Sequence, residues 1–260
     1  MRKRILYFLN KHPKLNNLAE ALYSIPSGIG YLFRGSKYGE NYWSVRHLNK
    51  QHSHKDDWGE ENTDWIEAYR KSINHAHRKF LTEKISAINP ASILEIGCNC
   101  GPNLHLLAEK FPTAEIIGID INPLAVQKGN EWFESEKINN IKLLAGKADE
   151  LDKFADKKFD VVFTDAVLIY LGPDKIRKAI SEMFQVSAKA LILLEWNDFS
   201  GNNGSLGKFR KHWVRDYKTL LAEFVKEDAI TIEKLPDGLW SDNSWKKYGA
   251  LIEVIVHKEN

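Results

Sequence analysis

The chain has 260 residues, 43% apolar and 28% charged, with a formal net charge of +2; this suits a water-soluble globular fold and offers no strong basic field for nucleic acid. No apolar run is long enough to cross a bilayer. The two cysteines, Cys98 and Cys100, stand too close for an easy disulfide, which points to a reducing, cytoplasmic setting.

The chain begins Met1-Arg-Lys-Arg and then turns apolar, but the apolar stretch ends at Asn10-Lys11 and no small-residue cleavage site follows. It reads as a basic amphipathic helix packed on its own domain, with weak membrane-surface contact as the second expectation. Short helices are expected over residues 4–9 and 15–23, followed by a glycine-rich turn over 24–30. A stronger helix is expected from Asn62 or Thr63, either of which can cap it, with acidic Asp64 and Glu67 in its first turn. It would carry Trp65, Ile66, Tyr69, Ile73, Phe80 and Leu81 toward Pro90. His75 and His77, two apart on that helix, would then face away from each other, so no shared metal ion is expected. His52 and His54 lie in a polar loop, and Cys98 and Cys100 read as a packed turn, so the expected metal content is none. Residues 1–88 therefore read as a helical and loop cap without strand pattern.

Composition changes at Asn89-Pro90. From there to residue 260, apolar strand-like runs alternate with helical patterns. Strands are expected over 92–96, 115–119, 141–145, 161–164, 190–194, 230–235 and 250–257. Helices are expected over 103–111, 123–136, 174–186 and 217–224. That alternation predicts an α/β domain over 89–260, with a mainly parallel sheet covered by helices.

The informative turn is Ile93-Leu-Glu-Ile-Gly-Cys-Asn-Cys-Gly-Pro-Asn103. A strand runs into glycines and a helix opens at Pro102, a residue suited to the first helical position. Gly97 and Gly101 lack the Cβ atoms that would keep a ligand off the backbone. The dinucleotide pattern G-x-G-x-x-G fails, because Asn99 and Pro102 occupy its second and third positions, which argues against a nicotinamide-dependent oxidoreductase.

The segment matches E-x-G-x-x-x-G and resembles the first motif of class I S-adenosylmethionine-dependent methyltransferases, with Glu95, Gly97 and Gly101 on its fixed positions. Asn99 replaces the usual central glycine, a mild departure because Asn tolerates left-handed backbone angles. Ile116-Ile-Gly-Ile-Asp-Ile-Asn-Pro123 is similar to the family's second strand, ending in an acidic residue. The resemblance covers about residues 70–258 and includes a weaker likeness, over 167–196, to methylases associated with sugar biosynthesis. It implies a Rossmann-like fold with an antiparallel last strand and S-adenosyl-L-methionine as cofactor. It also implies that Asp120 holds both ribose hydroxyls, that Ile121 packs on adenine, and that Ala148 or Asp149 reads the adenine edge, since Lys147 cannot accept its amino protons. The expected cofactor set is Glu95, Gly97, Cys98, Asn99, Gly101, Asp120, Ile121, Ala148, Asp149 and Thr164.

Methyl transfer asks for a nucleophile held in line with the carbon–sulfur bond and for a base only where that nucleophile starts protonated. Asp165, Glu195 and His75 are the leading candidate catalytic residues, and Tyr170 and His77 are further candidates for the base. Eight tryptophans, several after the strand ends, suit a sugar or other ring-bearing acceptor. The expected acceptor is a small molecule, sugar or lipid-linked compound rather than nucleic acid. In the cap, Tyr38, Tyr42, Trp43, Arg46 and Trp58 would form one acceptor wall. A catalytically silent methyltransferase-like binding protein is the non-enzyme alternative; its sign would be a ruined turn or a lost ribose acid, and neither is seen.

Overall fold

The computed structural model describes residues 35–46, 65–210 and 212–256. The two short helices expected before residue 24, the start of the long helix at 62 or 63, and Trp58 lie outside them. Among the described residues, three helices precede the sheet: α1 (Ser36–Ser44), α2 (Trp65–Lys71) and α3 (Ala76–Ser86). The expected continuous helix from residue 65 to Pro90 is in fact interrupted. After α2 a single 3₁₀ turn covers Ser72–Asn74, and His75 leaves helical geometry at φ −65°, ψ 140° before capping α3.

From Ser92 the chain alternates strand and helix: β1 (Ser92–Ile96), α4 (Pro102–Lys110), β2 (Glu115–Asp120), α5 (Pro123–Ser135), β3 (Ile141–Ala145), β4 (Phe159–Asp165), α6 (Ile176–Val186) and β5 (Ser187–Trp196). Asp160, expected just before the fourth strand, lies inside it. A small hairpin of β6 (Lys208–Arg210) and β7 (His212–Val214) follows, then α7 (Tyr217–Leu221), β8 (Ile230–Lys234), α8 (Asn243–Tyr248) and β9 (Gly249–Ile255). The hairpin and α8 were not expected: three-residue strands and a six-residue helix carry too little periodicity to read.

Seven strands form one sheet in the order β3-β2-β1-β4-β5-β9-β8. Pairs among β1 to β5 are parallel, and β9 runs antiparallel to both β5 and β8. The central strands β1, β4 and β5 are buried on both faces, as a parallel sheet covered on both sides requires. Period-two alternation splits them into two cores. Leu94, Ile96, Val162, Leu191 and Leu193 pack with Ile176, Ile180 and Met183 of α6 and Tyr217 and Leu220 of α7. Ile93, Val161, Phe163, Ile192 and Leu194 pack on the opposite face with Leu81 and Ile85 of α3, Leu104 and Leu107 of α4, and Phe133 of α5. Among the described residues, no helix is long and apolar enough to cross a membrane, and no three His, Cys, Asp or Glu side chains group as metal ligands.

Candidate active site

Strand order reverses between β1 and β4: the chain runs outward through β2 and β3, then returns to the other side of β1. In open α/β sheets the crevice beyond the carboxyl ends at such a reversal is the ligand site. Gly97 follows β1, Asp120 ends β2 and Asp165 ends β4, so the residues singled out from sequence converge on this one edge of the sheet.

The turn after β1 is held by its own backbone. Gly97, Asn99 and Gly101 take left-handed angles of φ 76°, 50° and 83°. A Cβ on Gly97 would sit 2.3 Å from Val167 Cγ2, and one on Gly101 2.6 Å from Phe133 Cζ, so glycine is required at both. The Gly97 and Cys98 amides donate to Ile119 O at 2.7 and 3.0 Å, and the Gly101 amide donates to Cys98 O at 2.8 Å. Both thiols are buried, and burial pushes them up, Cys100 to about 12; neither is a thiolate at neutral pH.

Asp120 links this turn to the next helix. One carboxylate oxygen accepts from the Asn99 amide at 2.8 Å and the other from the Asn122 amide at 2.8 Å. Asn122 in turn caps α5 through Leu124 and Ala125. Each Asp120 oxygen keeps a second lone pair. Burial pushes the carboxyl up to about 6 against the two amides. Ile121 and Ala148 are half-buried nearby in sequence to this strand end and the next. Asp149 is buried in a 2.9 Å ion pair with Lys175, which also reaches Glu40 of α1. Lys147 turns to Glu150 and Glu40 instead.

The three candidate catalytic residues separate into two groups. Glu195 is fully buried, and its two oxygens accept from the Thr164 hydroxyl and from the amides of Val167, Leu168 and Ile169. Burial raises its carboxyl to about 7 despite these four donors. It fastens the loop after β4, and Thr164 is spent on it.

Asp165 belongs to a second, larger network. Its Oδ2 accepts from His77 Nε2 at 3.1 Å, Asn103 Nδ2 at 3.0 Å and Arg78 Nη1 at 3.4 Å. Burial alone would raise Asp165, but His77, Arg78 and Asn103 hold it well below the ordinary carboxylate range. Asn103 also donates to Glu95 Oε1 at 2.6 Å, while Glu95 Oε2 is buried with no hydrogen-bond partner among the described residues. The expectation that His75 and His77 face apart is wrong. Because His75 stands outside the helix, its ring reaches 4.5 Å from that of His77, Nδ1 against Nδ1. The segment His75-Ala-His77 therefore links His75 to Asp165 through His77, itself a candidate base. The legible signal was His75 itself, a side chain able to cap a helix that starts after it.

Aromatic side chains wall the same edge. His77 stacks on Trp240 and Trp240 on Trp245, with centroids 4.2 and 4.1 Å apart. Trp196 meets Trp245, Tyr248 and His212, and His212 meets Tyr170 at 4.9 Å. Tyr170 meets Trp43 of α1 at 4.7 Å, and Trp43 leads to Trp65 and Tyr69 of α2. The Trp196 indole nitrogen is buried with no hydrogen-bond partner among the described residues. Arg46 is 2% exposed, its guanidinium 4.6 Å from the Trp65 ring, so it supports α2 rather than presenting charge to the surface.

The matching family model, described as a methyltransferase domain, covers residues 93–189, the stretch from β1 to the start of β5. The chain carries a methyltransferase domain on a Rossmann-like fold. It is 28% identical over 200 residues to an uncharacterised protein of Rickettsia prowazekii, covering 64% of this chain and 80% of that protein. It is 29% identical over 179 residues to a probable chloroplastic tocopherol O-methyltransferase of rice, covering 63% of this chain and 48% of the rice protein. A magnesium protoporphyrin IX methyltransferase structure from Synechocystis with bound S-adenosylmethionine shares the fold at TM-score 0.56, with 14% identity, 85% of this chain and 96% of that one covered. The residues present fit S-adenosylmethionine, the ligand bound in that neighbour. The left-handed glycine turn admits a ligand to the backbone, Asp120 retains acceptor capacity, and the orphaned Glu95 oxygen is a buried acceptor for a cationic or amino donor.

One consequence concerns pH. Burial lifts the Glu95 carboxyl from 4.5 to about 8, with the Asn103 bond opposing. Below pH 8 the folded methyltransferase then binds a proton that the unfolded chain does not take up until near pH 4.5. Glu95 thus adds stability as pH falls and removes it as pH rises through 8, by up to about 1.4 kcal/mol per unit. The melting temperature of the ligand-free protein is expected to rise between pH 8.5 and 7. Glu95→Gln, neutral throughout, should flatten that rise in a thermal scan; an unchanged slope would show that Glu95 is not the group responsible.

Proposed function

We propose that this methyltransferase transfers the methyl group of S-adenosylmethionine to a small-molecule acceptor with an aromatic, sugar-like or lipid-linked ring face. The single observation that carries the acceptor class is the aromatic enclosure around the carboxyl ends of β4 and β5. There the buried Trp196 N–H lacks a partner among the described residues and Tyr170, His212 and Tyr248 stand beside Trp196 or each other. Flat apolar walls with one or two polar groups suit a ring-bearing ligand. The rice relative's name, a probable tocopherol O-methyltransferase, and a structural neighbour in complex with geranyl diphosphate are compatible with this class.

In this reading Asp120 accepts from the ribose hydroxyls, Ile121 and Ala148 border the adenine, and Asp149 meets its amino edge by exchanging part of its pairing with Lys175. Gly97, Asn99 and Gly101 supply the close backbone approach, and Cys98 and Thr164 act through their backbone because their side chains are buried elsewhere. Glu95 faces the amino end of the cofactor. Glu195 is a positioning residue, and Asp165 with His75 supplies the acid–base chemistry. Residues 1–88 act as a cap over the domain at 89–260. Its support is that Ser36 of α1 binds the Asp174 carboxylate at 2.9 Å and receives the Gly172 amide at 2.6 Å, beside the Trp43–Tyr170 contact.

The test is incorporation of labelled methyl from S-adenosylmethionine into a cell extract separated into small-molecule, protein and RNA fractions. Label is expected in the small-molecule fraction, and Trp196→Ala should raise the acceptor KM about tenfold, an effect of ~1.4 kcal/mol. Label confined to protein or RNA would overturn the acceptor class.

A further inference from the structure

We propose, on the methyl-transfer reading, that the acceptor carries a phosphate group. Lys208 and Arg210 of the β6–β7 hairpin bind that group, and the ring-bearing part of the acceptor occupies the aromatic enclosure beside them.

The hairpin lies in a stretch of one charge sign. Residues 199–215 contain four basic residues, Lys208, Arg210, Lys211 and Arg215, and no Asp or Glu. This imbalance is local, because the whole chain has 37 Lys and Arg against 35 Asp and Glu. The carboxylates at either end of the stretch are engaged elsewhere. Asp198 accepts from the Ser200 amide and hydroxyl and from the Asn203 amide. Asp216 accepts from the Thr219 amide and hydroxyl. Lys208 and Arg210 are exposed, and neither side chain makes a hydrogen bond or ion pair among the described residues.

Strand pairing decides which way these cations face. Arg210 pairs with His212, Phe209 with Trp213 and Lys208 with Val214. Paired residues project from the same face of a hairpin, and so do alternate residues along one strand. Lys208, Arg210, His212 and Val214 therefore share a face, and Phe209 and Trp213 take the other. The first face is the one turned to the site. The His212 ring lies 4.9 Å from both Tyr170 and Trp196, and Val214 is buried with Ile169 and Trp196. Arg210 stands beside His212 across the hairpin, at the rim of the enclosure, and Lys208 follows about 7 Å along the strand. Trp196, 3% exposed, adds an indole N–H with no hydrogen-bond partner among the described residues. A ring held against Trp196 and Tyr170, with a polar atom on that N–H, carries its substituent toward the two rim cations.

The hairpin is braced at its base. Arg215, just after β7, donates from Nη1 to Leu168 O at 2.9 Å and from Nη2 to Leu171 O, both on the loop after β4. The Asp198 amide donates to Arg215 O at 2.7 Å, just past the end of β5. Cations on a braced strand hold an anion without first ordering a loop.

Charge and geometry favour phosphate over carboxylate. Two cations on one face with no acidic neighbour repel each other, and a dianion between them turns that repulsion into attraction. A phosphate ester supplies close to two charges and several acceptor oxygens, enough for a guanidinium fork and an ammonium together. A carboxylate supplies one charge and satisfies one of the two. The phosphate can be borne by a free small molecule or by a lipid-linked one. Phe199 and Leu206 are exposed on the loop leading into the hairpin, so the experiment separates these two sources.

The experiment uses the full chain, labelled S-adenosylmethionine and the small-molecule fraction of a cell extract, either intact or pretreated with alkaline phosphatase. Label is expected in compounds retained by anion exchange, and phosphatase pretreatment should remove most of it. Label in the aqueous phase of a butanol partition identifies a free phosphorylated acceptor, and label in the butanol phase a lipid-linked one; either upholds the proposal. Arg210→Gln and Lys208→Gln should each raise the acceptor KM about tenfold, as loss of one charge-assisted hydrogen bond does. The loss should fall on KM rather than on kcat, and the S-adenosylhomocysteine-induced rise in melting temperature should persist. Inorganic pyrophosphate should compete with the acceptor in the wild type and not in the double variant. Label that survives phosphatase, label in compounds that anion exchange does not retain, or a normal acceptor KM in the double variant overturns the proposal. Absence of label from every fraction, with no stabilisation by S-adenosylhomocysteine, would instead overturn the methyltransferase reading. Calorimetry of pyrophosphate on the wild type and the double variant would then still decide the cation pair.

Discussion

Replacing Arg78 with methionine is expected to destabilise the protein by about 3–5 kcal/mol, the range for removing one partner of a buried ion pair. Arg78 is fully buried, and every face of its guanidinium is used. Nε and Nη2 donate to Ser72 at 2.7–3.1 Å, Nη1 donates to Asn103 Oδ1 at 2.9 Å, and the charge lies 3.4 Å from Asp165. The planar group also stacks 4.6 Å over Tyr69. Methionine fills similar volume but leaves the Asp165 carboxylate and the Ser72 carbonyl without these donors. At roughly 2–4 °C per kcal/mol for a domain of this size, the melting temperature should drop by about 10 °C. Arg78→Lys keeps the charge but not the fork, so it should lie between the two. A scan placing Arg78→Met within about 3 °C of the wild type would mean that Asp165 is held by His77 and Asn103 alone.

Asp120→Ala is expected to weaken S-adenosylhomocysteine binding about 100-fold or more, since charge-assisted hydrogen bonds to two hydroxyls are worth about 1.5–3 kcal/mol each. Part of any change in the apo protein will come from the lost Asn99 and Asn122 contacts, so affinity is read by calorimetry on folded protein. The binding should also depend on pH in a stated direction. Burial raises the Asp120 carboxyl to about 6, and only the ionised form accepts from both hydroxyls. Affinity should therefore fall as pH drops below 6, while the ligand-free protein gains stability from Asp120 over the same interval because its folded pKa exceeds the unfolded value of 3.8. Asp120→Asn should lose the pH dependence. Normal affinity in Asp120→Ala would place the ribose elsewhere.

Both predictions rest on groups whose importance differs sharply in legibility. Asp120 could be read from the sequence because it closes an apolar strand directly after Ile119 and before Asn122-Pro123, a strand end followed by a helix start. Arg78 could not, because nothing in the pattern around it distinguishes a buried arginine from a solvated one on a helix face. Its burial comes from α3 lying across α4, where Asn103 meets it 25 residues away in the chain.

The sequence by itself determined the order of strands and helices from residue 92 onward, the glycine turn and the acidic end of β2. The physical reason is local: alternation with period two, helix caps and the angles that only glycine or asparagine tolerate are properties of neighbours in the chain. Residue-level expectations for Glu95, Gly97, Gly101 and Asp120 came from the resemblance of these short segments to the methyltransferase motifs. Only the tertiary structure decided which buried carboxylate was occupied and which was poised. Glu195 and Asp165 both close apolar strands, yet four donors from Thr164 and the 167–169 loop fill the first, while the second gathers Arg78 and His77 from a helix 87 and 88 residues away in sequence. The His75–His77 pairing was likewise invisible, since helical spacing turns i and i+2 apart and one extended residue before α3 reverses that result. Electrostatics acts through space, and the partners that set a charge or a tautomer are chosen by packing.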